Sequence, residues 1–224
     1  MFKYKKEFRV FNSKIKPSFK TNYLVSVPED FNREEKLPMI IFLHGAGERG
    51  DNPNALLVHG VPKLAEKGLL NVRAIVLAPQ VPDHNHVWWH FADEVMELIE
   101  NIAEEFNANP DKISLTGISM GGFGTWDLAT FHSGIFSCIA PICGGGMAWA
   151  AGGLLKDTPI RAYHGDADTV VNLCNSTNMI DAINALGGRA ELVILHNVGH
   201  DSWSFAYEHT DLIEWLVSHT RKKQ

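Results

Sequence analysis

Six apolar runs punctuate the chain: "PMIIFLHG" (38–45), "RAIVLAP" (73–79), "KISLTG" (112–117), "SCIAPICG" (137–144), "PIRAYHG" (159–165) and "AELVILH" (190–196). Short runs without polar alternation belong to strands covered on both faces, as in a parallel sheet. Helical patterns lie between them. From Asp93 to Phe106, the apolar residues Val95, Leu98, Ile99, Ile102, Ala103 and Phe106 form one stripe, with acidic residues opposite. Met179, Ile180, Ile183 and Leu186 form a second, closed by Gly187-Gly188, and Trp203–Val217 a third. Phe8, Val10 and then Tyr23 to Val27 predict an opening hairpin. The expected class is α/β, a mostly parallel sheet with helices on both faces. In such a sheet the ligand site lies beyond the carboxyl ends of the strands.

No linker or repeat divides the 224 residues, so one domain spanning 1–224 is expected. The net charge is −6, and the one basic run is the terminal Arg221-Lys222-Lys223, which argues against nucleic acid as a partner. The uncharged stretch Ser137–Leu155 is broken by Pro141 and five glycines, so it predicts a strand and loop rather than a membrane span. Cys138, Cys143 and Cys174 are too few for a disulfide framework, and the N-terminus lacks an apolar signal core. Together these features predict a cytoplasmic protein.

"LTGISMGG" (115–122) sets Ser119 between glycines where a strand ends, and "FGTWDLATF" after it predicts a helix. G-x-S-x-G between strand and helix is the nucleophile elbow, whose tight turn leaves no room for a Cβ two residues from the serine. A serine hydroxyl needs a base, and elbow proteins order their partners serine, acid, histidine. Of the eleven histidines, His200 in "VGHDSW" alone follows in that order within a strand-to-helix loop. In "HGDADTVV", Asp166 and Asp168 compete for the acid. Asp168 is favoured because Val170-Val171 would pack the loop down just beyond it, leaving Asp166 structural; Asp201 is expected to cap the last helix. Oxyanion donors are expected from the backbone of Met120 and of Ala46, with Gly47 the alternative to Ala46, in "FLHGAGERGD".

These motifs, with "APQ" and "PICGGG", resemble the α/β-hydrolase superfamily over about residues 20–218. More closely, they are similar to the small bacterial serine esterases labelled phospholipase/carboxylesterase or predicted peptidase, relatives of the prolyl oligopeptidase catalytic domain. The resemblance implies an α/β-hydrolase fold with the catalytic triad Ser119, Asp168 and His200 and the oxyanion donors Ala46 and Met120. It also implies serine carboxylesterase action on small acyl esters, acetylated or feruloylated fragments among them. No cofactor, metal or membrane is expected. The other readings are a serine peptidase and a non-catalytic binding protein. Oligomeric state is not legible.

Only Gly144–Thr158 separates two strands where larger relatives carry a cap, so no cap domain is expected. Met147 and Trp149 either line an acyl or aryl pocket or pack beneath that loop. Trp88, Trp89 and Trp203 either contact substrate or anchor their loops. His84, His86 and His90 in "DHNHVWWH" lack the further ligands of a metal site. Glu48 and Arg49 either bind a polar substrate group or form an ion pair that holds the oxyanion loop.

Overall fold

The computed structural model describes residues 1–221; Lys222 and Lys223 of the basic run lie outside the described residues. Eight strands form one sheet: β1 (Tyr4–Asn12), β2 (Lys20–Pro28), β3 (Met39–Leu43), β4 (Ile75–Pro79), β5 (Ile113–Ile118), β6 (Cys138–Ile142), β7 (Ile160–Gly165) and β8 (Ala190–Leu195). Their spatial order is β1-β2-β4-β3-β5-β6-β7-β8. β1 and β2 form the expected antiparallel hairpin, β2 joins β4 antiparallel, and the remaining pairs are parallel. All six apolar runs are strands, each within a residue or two of its expected bounds.

Period-two alternation decides which face each residue buries. Met39, Ile41 and Leu43 join one core with α2 (Ala92–Glu105), α3 (Met120–Phe131), α4 (Ala148–Leu154) and α5 (Cys174–Ala185). Ile40 and Phe42 join the other with α1 (Gly60–Glu66), α6 (Trp203–His209) and α7 (Leu212–Ser218). The chain leaves β3 for β4 on one side and returns to β5 on the other, so the strand order reverses between β3 and β5. Such a switch point opens a crevice at the carboxyl ends, because the loops after the two strands diverge. This is the α/β-hydrolase fold, and between β6 and β7 it carries only α4, with no cap domain.

Two expectations fail locally. Trp203–Val217 is two helices, because Thr210 is extended (φ −128°, ψ 178°) and its hydroxyl satisfies both ends of the break. It donates to the Ala206 carbonyl (2.6 Å) and accepts from the Leu212 N–H (3.2 Å). The second stripe ends early: Leu186 caps α5 and is 57 % exposed, while Gly187 takes φ +86°. Met179, Ile180 and Ile183 carry the burial instead. Thr210→Ala removes the hydroxyl that ends one helix and begins the next, and should cost about 1 kcal/mol of unfolding free energy in urea denaturation.

Candidate functional site

Ser119 follows β5 with φ +52° and ψ −116°, a strained conformation for a residue with a side chain. The surrounding backbone enforces it. A Cβ on Gly117 would run into the Gly121 carbonyl, and one on Gly121 into the carbonyl of Leu43 at the end of β3. The first turn of α3 therefore lies directly against the loop after β3. Ser119 N–H donates to the Ile142 carbonyl (2.9 Å), tying the turn to β6 as well.

The loops after β7 and β8 deliver the other two groups. Ser119 Oγ lies 2.9 Å from His200 Nε2, and His200 Nδ1 lies 2.7 Å from Asp168 Oδ2. An ionised carboxylate only accepts, so Nδ1–H donates to Asp168 and Nε2 of the neutral ring accepts from the serine. The Asp168 side chain is fully buried. Burial alone would raise its pKa, but the hydrogen bonds from His200 and from the N–H groups of Val171 and Val170 hold it below the usual carboxylate range. The expected packing of Val170 is absent, since this residue is 70 % exposed. The loop instead curls around the Asp168 carboxylate, because two N–H bonds to a charge hold it without apolar cover. His164, which the sequence reading passed over, lies behind: fully buried, with Nε2 3.3 Å from Asp168 Oδ2 and Nδ1 2.8 Å from Ser176 Oγ.

Asp166 takes the structural part, accepting from His196 Nδ1 (2.8 Å) and Asn197 N–H (2.7 Å). Asp201 accepts from the Ser204 N–H (3.1 Å) in the first turn of α6. Ala46 and Met120 each begin a helix, a 3₁₀ turn over Ala46–Glu48 and α3 respectively. At that position an N–H has no partner within its own helix and is free to face an anion.

The Ala46 loop is fastened from beneath. His44 is buried, Trp88 Nε1–H donates to its carbonyl (3.0 Å), and its Nε2 accepts from Val81 N–H (3.0 Å). Burial, opposed by the bond between its Nδ1 and the Gly45 carbonyl, lowers the His44 pKa to about 4. Glu48 and Arg49 do not pair with one another. Arg49 reaches the carbonyls of Ala46, His84 and His86, whereas Glu48 lies 3.7 Å from His59 Nε2. Loop carbonyls outcompete the neighbouring carboxylate for the guanidinium, so the loop is held by hydrogen bonds.

Two clefts flank the elbow. One, of about 340 Å³, is lined by Val87, Trp88, Trp89, Met120, Phe123, Gly124 and Asp127. Trp88 is both anchor and wall: 1 % exposed, it packs where a Cβ on Gly124 would come within 2.6 Å. Trp89 is 58 % exposed and stacks on His90. The other cleft, of about 270 Å³, takes in Ala46, Glu48, His59, Ser119, His200 and Trp203. The Trp203 and His200 rings meet in a T-shaped contact (centroids 5.3 Å apart), and Trp203 donates Nε1–H to His59 Nδ1 (3.3 Å). Trp149, 83 % exposed on α4, lines neither, and Met147 before it also stays outside both. His59, Phe123 and Asp127 were missed from the sequence; the spacing of Met120, Phe123, Gly124 and Asp127 along one face of α3 was the available signal.

Among the described residues, ligating atoms converge only at Cys143, Asp168 and His200, within 4.8 Å. Burial pushes the Cys143 thiol up to about 12, and the other two groups bind each other, so this set is poorly suited to a cation. His84, His86 and His90 do not converge; His86 Nδ1 is engaged by Asp83 (2.8 Å).

The Esterase family model matches residues 17–202, most of the chain. The protein belongs to the Esterase family. Feruloyl esterase D of Neurospora crassa is 26 % identical over 176 residues, which cover 71 % of this chain and 57 % of that protein. A thermostable esterase of known structure is 30 % identical with a TM-score of 0.87, over 96 % of this chain and 63 % of the other. This Esterase-family chain thus spans less than two thirds of both relatives. A feruloyl esterase module from Clostridium thermocellum, solved with sinapinate, superposes with a TM-score of 0.78 at 15 % identity, over 99 % of this chain and 91 % of that one, and shows the common fold. No helix among the described residues is long and apolar enough to cross a membrane.

The crowding at the elbow and the buried imidazole each have a measurable consequence. Gly121→Ala should fail to reach the native fold or lose the elbow geometry, seen as loss of labelling by a serine-directed phosphonate. Gly153→Ala on α4, where a Cβ meets nothing within 4 Å, should label normally. Because the folded pKa of His44 lies below its ordinary 6.5, its contribution to stability is complete above pH 6.5 and is lost as pH falls towards 4. The difference is on the order of 3 kcal/mol. Denaturant unfolding between pH 7 and 4.5 should show this fall, and His44→Gln should flatten it.

Proposed function

We propose that the chain is a serine carboxylesterase acting through an acyl-enzyme on small ester substrates. The observation that carries the reading is the pair of hydrogen bonds from Ser119 Oγ to His200 Nε2 (2.9 Å) and from His200 Nδ1 to Asp168 (2.7 Å). Ser119 attacks the ester carbonyl while His200 takes its proton. Asp168 holds the ring in the tautomer that leaves Nε2 free and stabilises the imidazolium that forms. The N–H groups of Met120 and Ala46 receive the oxyanion, aided by the positive end of α3. His200 then protonates the leaving alcohol, and water, activated by the same imidazole, releases the acid and restores Ser119. The chemistry calls for no cofactor.

The aromatic cleft beside Met120 suits the acyl group, and the one holding Glu48 and His59 suits the alcohol. Aromatic walls at Trp88, Trp89 and Phe123 favour short or aromatic acyl groups, feruloyl included, in keeping with the feruloyl esterases the chain is similar to. Trp203 serves the alcohol side by steadying His200. Continuity of one sheet from β1 to β8 supports a single domain over 1–224, and the free thiols of Cys138, Cys143 and Cys174 support a cytoplasmic location.

Hydrolysis of p-nitrophenyl esters from acetate to palmitate, of methyl ferulate and of a peptide anilide should show activity on the short and aromatic esters. Ser119→Ala should lower it by several orders of magnitude. Cleavage of the anilide alone would replace the esterase with a peptidase. Silence on all substrates, with no phosphonate labelling, would leave a binding protein.

A further inference from the structure

His164 is a buried titratable group that the acyl-transfer chemistry leaves unused. It lies near the end of β7, fully buried, and strand alternation turns it to the same face as Ile160 and Ala162, towards α5. An apolar side chain would fill that place without the cost of taking an imidazole out of water. Both ring nitrogens are engaged instead. Nε2 lies 2.9 Å from the Val171 carbonyl and 3.3 Å from Asp168 Oδ2, and both of those oxygens only accept. Nε2 therefore carries the proton of the neutral ring. Nδ1 accepts from the Ser176 hydroxyl (2.8 Å), which shares its one hydrogen with the Gly144 carbonyl (2.9 Å). Ser176 is itself fully buried on α5.

The loop after β7 shows what this arrangement holds. Its first half is tied to the loop after β8: Asp166 N–H donates to the Leu195 carbonyl (3.1 Å) and Ala167 N–H to that of Val198 (3.0 Å). Residues 169–171 have no backbone bond of that kind among the described residues, and Val170 is exposed. There the N–H groups of Val170 and Val171 converge on Asp168 Oδ1, at 2.8 and 2.9 Å. Val171 thus bonds Asp168 through its N–H and His164 through its carbonyl. The rigid strand β7 thereby holds the loop shut around the carboxylate. The N–H edge of the His164 ring also faces Oδ2, the oxygen that accepts from His200.

We propose that His164 is the positioning residue of the triad carboxylate: by pinning Val171 and facing Asp168 Oδ2, it fixes the angle from which Asp168 orients His200. The proposal rests on the triad reading given above. His164 lines neither cleft, so its loss should act on the chemical step rather than on substrate binding. A small misplacement of the orienting group is enough to slow that step severely.

The test compares His164→Phe, His164→Gln and Ser176→Ala on p-nitrophenyl acetate, with active sites counted by phosphonate titration and folding followed by thermal unfolding. His164→Phe keeps a ring without a donor, and should lower kcat about tenfold to a hundredfold with KM within about threefold. His164→Gln, whose amide nitrogen reaches the place of Nε2, should stay within about fivefold of wild type. Ser176→Ala frees Nδ1 and lets the ring turn, and should lower kcat about threefold to tenfold. In an Asp168→Ala background, His164→Phe should cost less than about twofold more, since its effect runs through the carboxylate. A purely structural histidine would lower the melting temperature and leave kcat per titrated site unchanged, and that result would overturn the assignment. So would an undiminished loss in the Asp168→Ala background, or a Gln variant as impaired as the Phe variant. Should His164→Phe fail to fold, an unchanged kcat in Ser176→Ala overturns it. A wild type that neither cleaves esters nor takes the phosphonate would instead remove the triad reading beneath it.

Discussion

The approach of Gly121 to the carbonyl of Leu43 is the constraint on which the rest of the site depends. It brings the first turn of one helix onto the end of a neighbouring strand with no side chain between them. The turn joining β5 to α3 must then be tight, and Ser119 is left at positive φ with its hydroxyl outside the sheet. The same closeness sets the loops after β3 and β5 side by side, each starting a helix whose first N–H has no partner of its own. Strain at one residue is sustained because the sheet on either side is fully buried and cannot relax around it.

A second constraint is electrostatic. A buried carboxylate is tolerated only when its lone pairs are satisfied, and Asp168 draws two N–H bonds from its own loop and a third bond from His200. The charge therefore organises the loop after β7, while the loop after β8 is organised separately through Asp166, His196 and Asn197. Two aspartates two residues apart do different work: one is buried and turned towards His200, the other is solvated and stitches the edge of the sheet. Asp127 is the opposite case: among the described residues its carboxyl has no hydrogen-bond or ion-pair partner, and burial raises its pKa where the bonds to Asp168 lower that group's.

The strands were legible because a central parallel strand needs apolar residues on both faces, and few other elements tolerate such a run. Helix ends were less so. Trp203–Val217 keeps its apolar period through Thr210, and nothing local announces that a hydroxyl will close one helix and open another. Val170 and Leu186 look like core residues by type, yet both are exposed, because their positions lie past the last contacts that the sheet offers. Short α1 and α4 carry too few turns for periodicity to register.

For the site, chain order and the crowding of glycines around Ser119 pointed to Ser119, Asp168 and His200, which the structure brings within hydrogen-bond distance, since these signals reflect local backbone geometry repeated at the ends of strands. The amino-acid order also carried the α/β class and the lack of a cap. What the cleft walls would be was decided by packing between distant segments. Trp88 lies against Gly124, 36 positions away, and Trp203 meets His59 across 144. Trp149 stayed outside although it sits close in sequence to the strand ends. The aromatic cleft itself exists only once α3 is folded against the Val87–Trp89 segment, because burial is a property of the assembled surface and not of the residue.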